Sequence, residues 1–348
     1  MRRSTLALLA LLAGCGSADQ RQAAQAAPQP PAGPASAAVA AAADLPPPDG
    51  PRLAFPLACR IGADCEVQNY YDRDDGPGVQ DYRCGRRGYD GHDGIDIRVA
   101  DRAAEARGVD VLAAAPGRVA RLRDGVEDNG VKTAGQECGN GVVIDHGNGW
   151  ETQYCHLKRG SVRVAVGQPV ASGDPIAQVG YSGNTEFPHL HIGVRHNGRM
   201  LDPFAPGAMP LGTCTPQAPL WTPEAARQLA YKAGAILKVG VAGSAVTQEE
   251  IDDGRVAAPA AGAPVLAAYV RAIGLEAGDR LELTLRSPRG EVLATNVLPP
   301  LDRDKAQYFL MVGKRRPAQG WPAGAYQASA RILRGEAVAA ERAADTTL

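Results

Sequence analysis

The sequence is poor in aromatic residues, at 5%, and has no excess of either charge, with 37 Lys and Arg against 38 Asp and Glu. The charge balance gives no ground for nucleic acid as a partner or for attraction to an anionic membrane surface. With aromatics scarce, the 41 glycines and 27 prolines suit a turn-rich β protein with flexible linkers better than a helical bundle. No pair of cysteines has the Cys-x-x-Cys spacing of a structural zinc site. The acidic run Asp72-Arg73-Asp74-Asp75-Gly76 lacks the alternating ligands and distant Glu of an EF-hand loop, so a disulfide-stapled, turn-rich segment is the better reading of 51–87.

The leading apolar run, Leu6 to Ala13, is too short to span a bilayer. It follows Arg2-Arg3 and ends in Leu12-Ala13-Gly14-Cys15, which resembles a bacterial lipoprotein signal whose cysteine is lipidated after cleavage. Gly16, rather than Asp, would by the same resemblance direct the chain to the outer membrane of a two-membrane bacterium. The expected location is therefore the cell envelope, with the membrane engaged through lipidated Cys15. Residues 16–50 are rich in Ala, Pro and Gln and cannot bury enough apolar surface to offset ordering entropy, so they read as a disordered tether.

Six cysteines remain: Cys59, Cys65, Cys84, Cys138, Cys155 and Cys214. An even number in an exported chain implies disulfides. Cys138 and Cys155 flank one predicted hairpin, which favours that pair.

At 348 residues the chain has room for two domains. Short runs punctuated by turns predict strands over 109–114, 117–122, 141–146, 151–157, 169–171 and 176–181, with a short helical turn at 102–107. Gly147-Asn148-Gly149 marks a hairpin. The fold class predicted is all-β: an antiparallel β-sheet domain over 51–214, a helix-containing linker over 215–260, and a small β-sandwich over 261–348. Thr222-Pro223-Glu224 opens a helix expected to reach about Tyr231. The sandwich rests on strands predicted at 265–272, 280–286, 292–297, 307–312 and 325–333, and it contains neither histidine nor cysteine, so no chemistry is assigned to it.

All six histidines lie between residues 92 and 196. In Pro188-His189-Leu190-His191-Ile192-Gly193-Val194, strand alternation puts His189 and His191 on one face, about 7 Å apart, and Leu190 and Ile192 on the other. His92 and Asp96 lie in a glycine-rich loop entering a strand, where Gly94 lets the backbone bend so that both converge. Tyr154 would share the face of His156 by the same alternation, framing the site or simply packing.

His-x-x-x-Asp, Tyr-x-His-Leu and His-Leu-His, in that order, resemble the zinc metallopeptidases of the lysostaphin and LytM type. Gly94, Gly141, His146-Gly147-Asn148-Gly149, Gly167, Val179-Gly180-Tyr181-Ser182-Gly183 and Asp202-Pro203 extend the resemblance across roughly 85–206. Phe187, where a glycine is common, departs from it, as do an extra segment around Asp101–Gly108 and the cysteine-bearing segment that precedes the motifs. The resemblance implies that His92, Asp96 and His191 bind one zinc ion. It implies that His156 and His189 act as proton shuttle and oxyanion stabiliser without binding the metal, and that Asn140 lies nearby. His146 and His196 are left structural or exposed.

The function implied is a zinc endopeptidase cleaving peptide cross-links of bacterial peptidoglycan, probing an insoluble substrate from a tethered position as a monomer. An alternative of another class is a non-catalytic LytM-type module that activates a separate cell-wall hydrolase. A third retains peptidase chemistry on a protein substrate.

Overall fold

The computed structural model describes residues 50–207, 212–214 and 218–348. The signal-like leader, Cys15 and nearly all of the tether lie outside the described residues. The first part of the chain holds β1 (Cys65–Asn69), β2 (Ile95–Val99), α1 (Arg102–Arg107), β3 (Asp110–Leu112), β4 (Gly117–Arg123), β5 (Asn140–Gly147), β6 (Trp150–Leu157), β7 (Pro169–Val170), β8 (Pro175–Gln178), β9 (His189–His196) and β10 (Arg199–Leu201). The second holds α2 (Pro223–Gln228), β11 (Ala235–Ala242), α3 (Gln248–Asp252), β12 (Val265–Leu275), β13 (Arg280–Arg286), β14 (Val292–Val297), β15 (Lys305–Arg315), β16 (Ala325–Arg334) and β17 (Ala337–Thr347). The all-β expectation is met.

Among the described residues the first sheet runs β1-β2-β9-β6-β5-β4-β7, with β10 paired to β9 and every neighbour antiparallel. Its inward face is set by alternation: Ile95 and Ile97 on β2 and Leu190, Ile192 and Val194 on β9 are all fully buried. Each such side chain contributes about 1.5–3 kcal/mol by leaving water. They join Val111, Ala113, Ile176 and Ala177, from around the β3–β8 pair, in one core.

β1 was not foreseen: Cys65 and Val67, in the first core, alternate with Glu66 and Gln68, but over only five residues in a segment read as disulfide-stapled turns. Its polar Glu66 and Gln68 are buried against partners: Lys232 Nζ donates to Glu66, and Gln68 Nε2 donates to the Ala306 carbonyl. The acidic run that follows is a set of turn caps. Asp72 accepts from the Asp74, Gln80 and Gly91 backbone N–H groups, and Asp74 accepts from Gly76.

The second core lies between the sheet β11-β12-β15 and the sheet β14-β13-β16-β17, so a sandwich is present. The expected linker over 215–260 is divided between the two cores. Leu220, Trp221, Ala225 and Leu229 pack into the first core, whereas β11 pairs with β12 in the second. The boundary therefore falls between Tyr231 and Ala235. α2 stops at Gln228, short of Tyr231, with Thr222 capping the Ala225 N–H at 3.2 Å.

Three disulfides are present: Cys59–Cys65, Cys84–Cys214 and the expected Cys138–Cys155.

Candidate active site

The polar face of β2 and β9 carries the site. In their register Asp96 lies opposite His191 and Arg98 opposite His189, and cross-strand partners share a face. His92 arrives from the loop before β2. Its Nε2 lies 3.1 Å from Asp96 Oδ1 and 3.2 Å from His191 Nδ1, and His191 Nδ1 lies 2.9 Å from the same carboxylate oxygen. Three donor atoms at such spacings match the edges of a tetrahedron, roughly 3.3 Å for metal bonds of about 2.0–2.1 Å. The donor set fits zinc: two imidazole nitrogens and one carboxylate oxygen, with a corner left open.

Hydrogen bonds fix each donor. His92 Nδ1 lies 2.7 Å from the Tyr70 carbonyl, which can only accept, so Nδ1 carries the proton and the Nε2 lone pair faces the other ligands. Asn69 Nδ2 donates to Asp96 Oδ2 at 2.8 Å, leaving Oδ1 for the cluster. On the outer side of His191, Nε2 lies 3.4 Å from Asp93 Oδ1. Burial alone would raise the Asp96 carboxyl, but His92, His189 and His191 hold it well below the usual carboxylate range. Gly94 is required by space: a Cβ there would lie 2.5 Å from His191 Nε2 and 2.7 Å from the Ile192 carbonyl.

His156 and His189 stand beside this triad, their rings 4.5 Å apart, with His156 6.2 Å from His191. His189 Nδ1 lies 2.9 Å from the Phe187 carbonyl and 3.0 Å from Thr185 Oγ1. His156 Nδ1 lies 2.8 Å from the Ser182 carbonyl. Each carbonyl holds the proton on Nδ1 and makes Nε2 the position for proton exchange, and His189 Nε2 lies 3.4 Å from Asp96 Oδ1. Burial, reinforced by His189 and His191, pulls the His156 imidazole down to about 3, so it is neutral at neutral pH.

One expectation fails. His156 has φ +60, and at this bulge Cys155 and His156 together face the single residue Gly141 of β5. Alternation stops there, so Tyr154 does not share the face of His156. It is fully buried in the core, where its hydroxyl accepts from the Ala114 N–H at 2.7 Å. Asn140 lies behind His156, its backbone N–H donating to Ser182 Oγ. Its side chain accepts from the Gly125 and Val126 N–H groups and donates to the Val126 and Leu157 carbonyls, which fills its hydrogen-bonding capacity.

The site thus assembles all five expected residues. Residues 90–203 match the family model described as Peptidase family M23. That segment is a peptidase family M23 domain. The chain is 34% identical, over 115 residues, to a Haemophilus influenzae protein named an uncharacterized metalloprotease; the match covers 32% of this chain and 20% of that protein. The peptidoglycan DD-endopeptidase ShyA of Vibrio cholerae is 41% identical over 64 residues, 18% of this chain and 14% of its own length. The murein hydrolase activator EnvC of Escherichia coli is 35% identical over 98 residues, 28% of this chain and 20% of its own. The chain therefore spans 20% or less of the length of these curated relatives.

Several residues that build the M23 site escaped the sequence reading. Ser182 was within reach, as it lies in a motif already noted for the resemblance. Asn69 gave no signal, because it acts from a strand that alternation did not reveal. His146 and His196 prove structural: His146 lies 2.7 Å from the Pro116 carbonyl and 2.8 Å from Thr152 Oγ1, and His196 stacks on Trp150 at 4.3 Å.

Proposed function

We propose that the M23 domain is a zinc-dependent endopeptidase that hydrolyses peptide cross-links of bacterial peptidoglycan, on an exported chain anchored through lipidated Cys15. The observation that carries this reading is the convergence of His92, Asp96 and His191 with two further imidazoles that adjoin them, His189 with its Nε2 3.4 Å from Asp96 Oδ1. Zinc held by the three ligands supplies Lewis acidity, polarising a carbonyl oxygen and acidifying water. The chain's own residues do the remaining work. Neutral His156 accepts a proton at Nε2, and between them His156 and His189 return one to the amine nitrogen released as the peptide C–N bond breaks. Their protonated rings also face the charge that develops on the carbonyl oxygen. Three disulfides suit an oxidising compartment outside the cytoplasm.

The likeness to a murein hydrolase activator supports a second reading, a regulatory domain acting on another cell-wall hydrolase. A purely regulatory surface has no use for three convergent metal ligands and two further buried imidazoles, which favours the first.

Digestion of purified peptidoglycan by the full chain, followed by mass spectrometry of the fragments, tests the choice. New amine and carboxyl ends at cross-links are expected, together with close to one zinc per chain that His191→Ala abolishes. Intact cross-links with zinc bound would overturn the endopeptidase reading and favour the regulator.

A further inference from the structure

His156 owes its position to a bulge rather than to a regular strand, and that bulge is cross-linked. Cys155, directly before His156, lies opposite His191 in the β6–β9 register and is joined to Cys138. The Cys138 carbonyl also accepts the backbone N–H of His156 at 2.8 Å. Cys138 therefore holds the bulge twice, once through its sulfur and once through its backbone. A non-glycine residue at φ +60 costs on the order of 1–3 kcal/mol and persists only where its surroundings over-determine it.

The surroundings are built for this cross-link. A Cβ on Gly141, the residue facing the bulge, would lie 2.9 Å from Cys138 Sγ and 2.8 Å from the Tyr154 carbonyl. Gln153 Nε2 lies 3.3 Å from Cys138 Sγ and 3.2 Å from Cys155 Sγ. Behind the ring, Ser182 offers its carbonyl to His156 Nδ1, accepts the Asn140 N–H at 2.9 Å, and donates to the Leu157 carbonyl at 2.7 Å. Gly139 sits against it, where a Cβ would come within 2.4 Å of the Ser182 carbonyl oxygen. Segment 138–140, the bulge and Ser182 thus form one block, and the disulfide closes it.

We infer that the Cys138–Cys155 disulfide is a positioning device for His156: it keeps the left-handed bulge that aims the imidazole at the metal triad. The other two disulfides do not touch the bulge. This role rests on the reading of His156 as a residue that acts on substrate.

The test compares wild type, C138S/C155S and, as a control, C59S/C65S, each as the full chain loaded with zinc. Turnover of a soluble cross-linked muropeptide is measured alongside zinc content and the imidazole nitrogen NMR signals. In C138S/C155S, kcat should fall on the order of 10²-fold, the loss that a misplacement of about 1 Å produces, while KM and zinc content hold. The His156 signal should change from one fixed Nδ1–H tautomer to an average of two. C59S/C65S should keep both kcat and the fixed tautomer. Should the serine pair fail to fold, C138A/C155V removes the cross-link while keeping the pair apolar. Wild-type kcat in the cross-link variant, or an equal loss in the control, would overturn the inference. If wild type itself hydrolyses nothing, the endopeptidase reading fails and the tautomer decides alone: a fixed tautomer without the disulfide rejects the positioning role.

Discussion

His156 and His189 bring their rings to the same site from neighbouring strands, yet they are held in different ways. His189 sits at the start of regular β9, paired with Arg98 across β2, and its orientation follows from strand alternation. Its ring lies 4.8 Å from that of Phe187, tilted to it, and the Arg98 guanidinium lies over the same phenyl ring, 4.3 Å from its centre. Arg98 is buried and is braced by Gln68 Oε1 at 3.0 Å and by Gln307 Oε1 of β15 at 3.2 Å. His156 has no such stack; it depends on an irregular backbone fixed by a cross-link and a serine carbonyl. One histidine is placed by packing that reaches into the C-terminal sandwich, and the other by local covalent and backbone constraint. The pair shows that equivalent chemistry does not require equivalent support.

The largest effects should come from removing either ring. His156→Ala and His189→Ala are each expected to lower turnover by roughly 10²–10⁴-fold while zinc content stays at the wild-type level. Zinc analysis and muropeptide kinetics on the same samples check this. Loss of zinc in either variant would mean that the ring is a ligand, and the division between the triad and its two neighbours would be wrong.

The difference in support also explains what the sequence made legible. The His-Leu-His strand could be read because alternation with Leu190, Ile192 and Val194 fixes its face, and the ligand set followed from spaced motifs. The bulge could not be read: nothing in Thr152-Gln153-Tyr154-Cys155-His156 announces that alternation ends at Cys155, so Tyr154 was given the wrong face. β1 was hidden by its length and by burial of its polar face: Cys65 and Val67 enter the first core, whereas Glu66 and Gln68 are buried on the other face against Lys232 and the Ala306 carbonyl. β11 lies in a stretch read as linker: it is buried on both faces, so it runs as a nearly unbroken apolar segment without the alternation that marks a half-exposed strand.

Asn69 provides the next, smaller test, on the regular flank. Asn69→Ala removes the donor that holds Asp96 Oδ2, and zinc affinity should fall about 10–100-fold, as happens when an outer partner of a ligand is lost. Competition with a calibrated chelator measures it. Unchanged affinity would show that the β2–β9 register alone positions Asp96.

Gln307→Ala removes from buried Arg98 and Arg271 an acceptor they share, so it should lower stability and, through Arg98 and Phe187, loosen the seating of His189. The cost should be about 1–3 kcal/mol in denaturant unfolding, with zinc binding unaffected. Loss of zinc there would mean that the sandwich supports the metal as well as His189.

Tyr154→Phe should move activity least, and it probes the bulge directly. If alternation continued through β6, the phenol would face His156 and its loss would alter turnover. The structure turns it the other way, where its hydroxyl accepts from the Ala114 N–H and from Thr152 Oγ1 at 3.1 Å. Removing the oxygen leaves the buried Ala114 N–H without a partner, at a cost of about 1–3 kcal/mol. The folded fraction should then hydrolyse substrate at the wild-type rate, so thermal unfolding and kinetics must be measured together. A lowered kcat at unchanged stability would place Tyr154 on the catalytic face and remove the bulge from the account of how His156 is aimed.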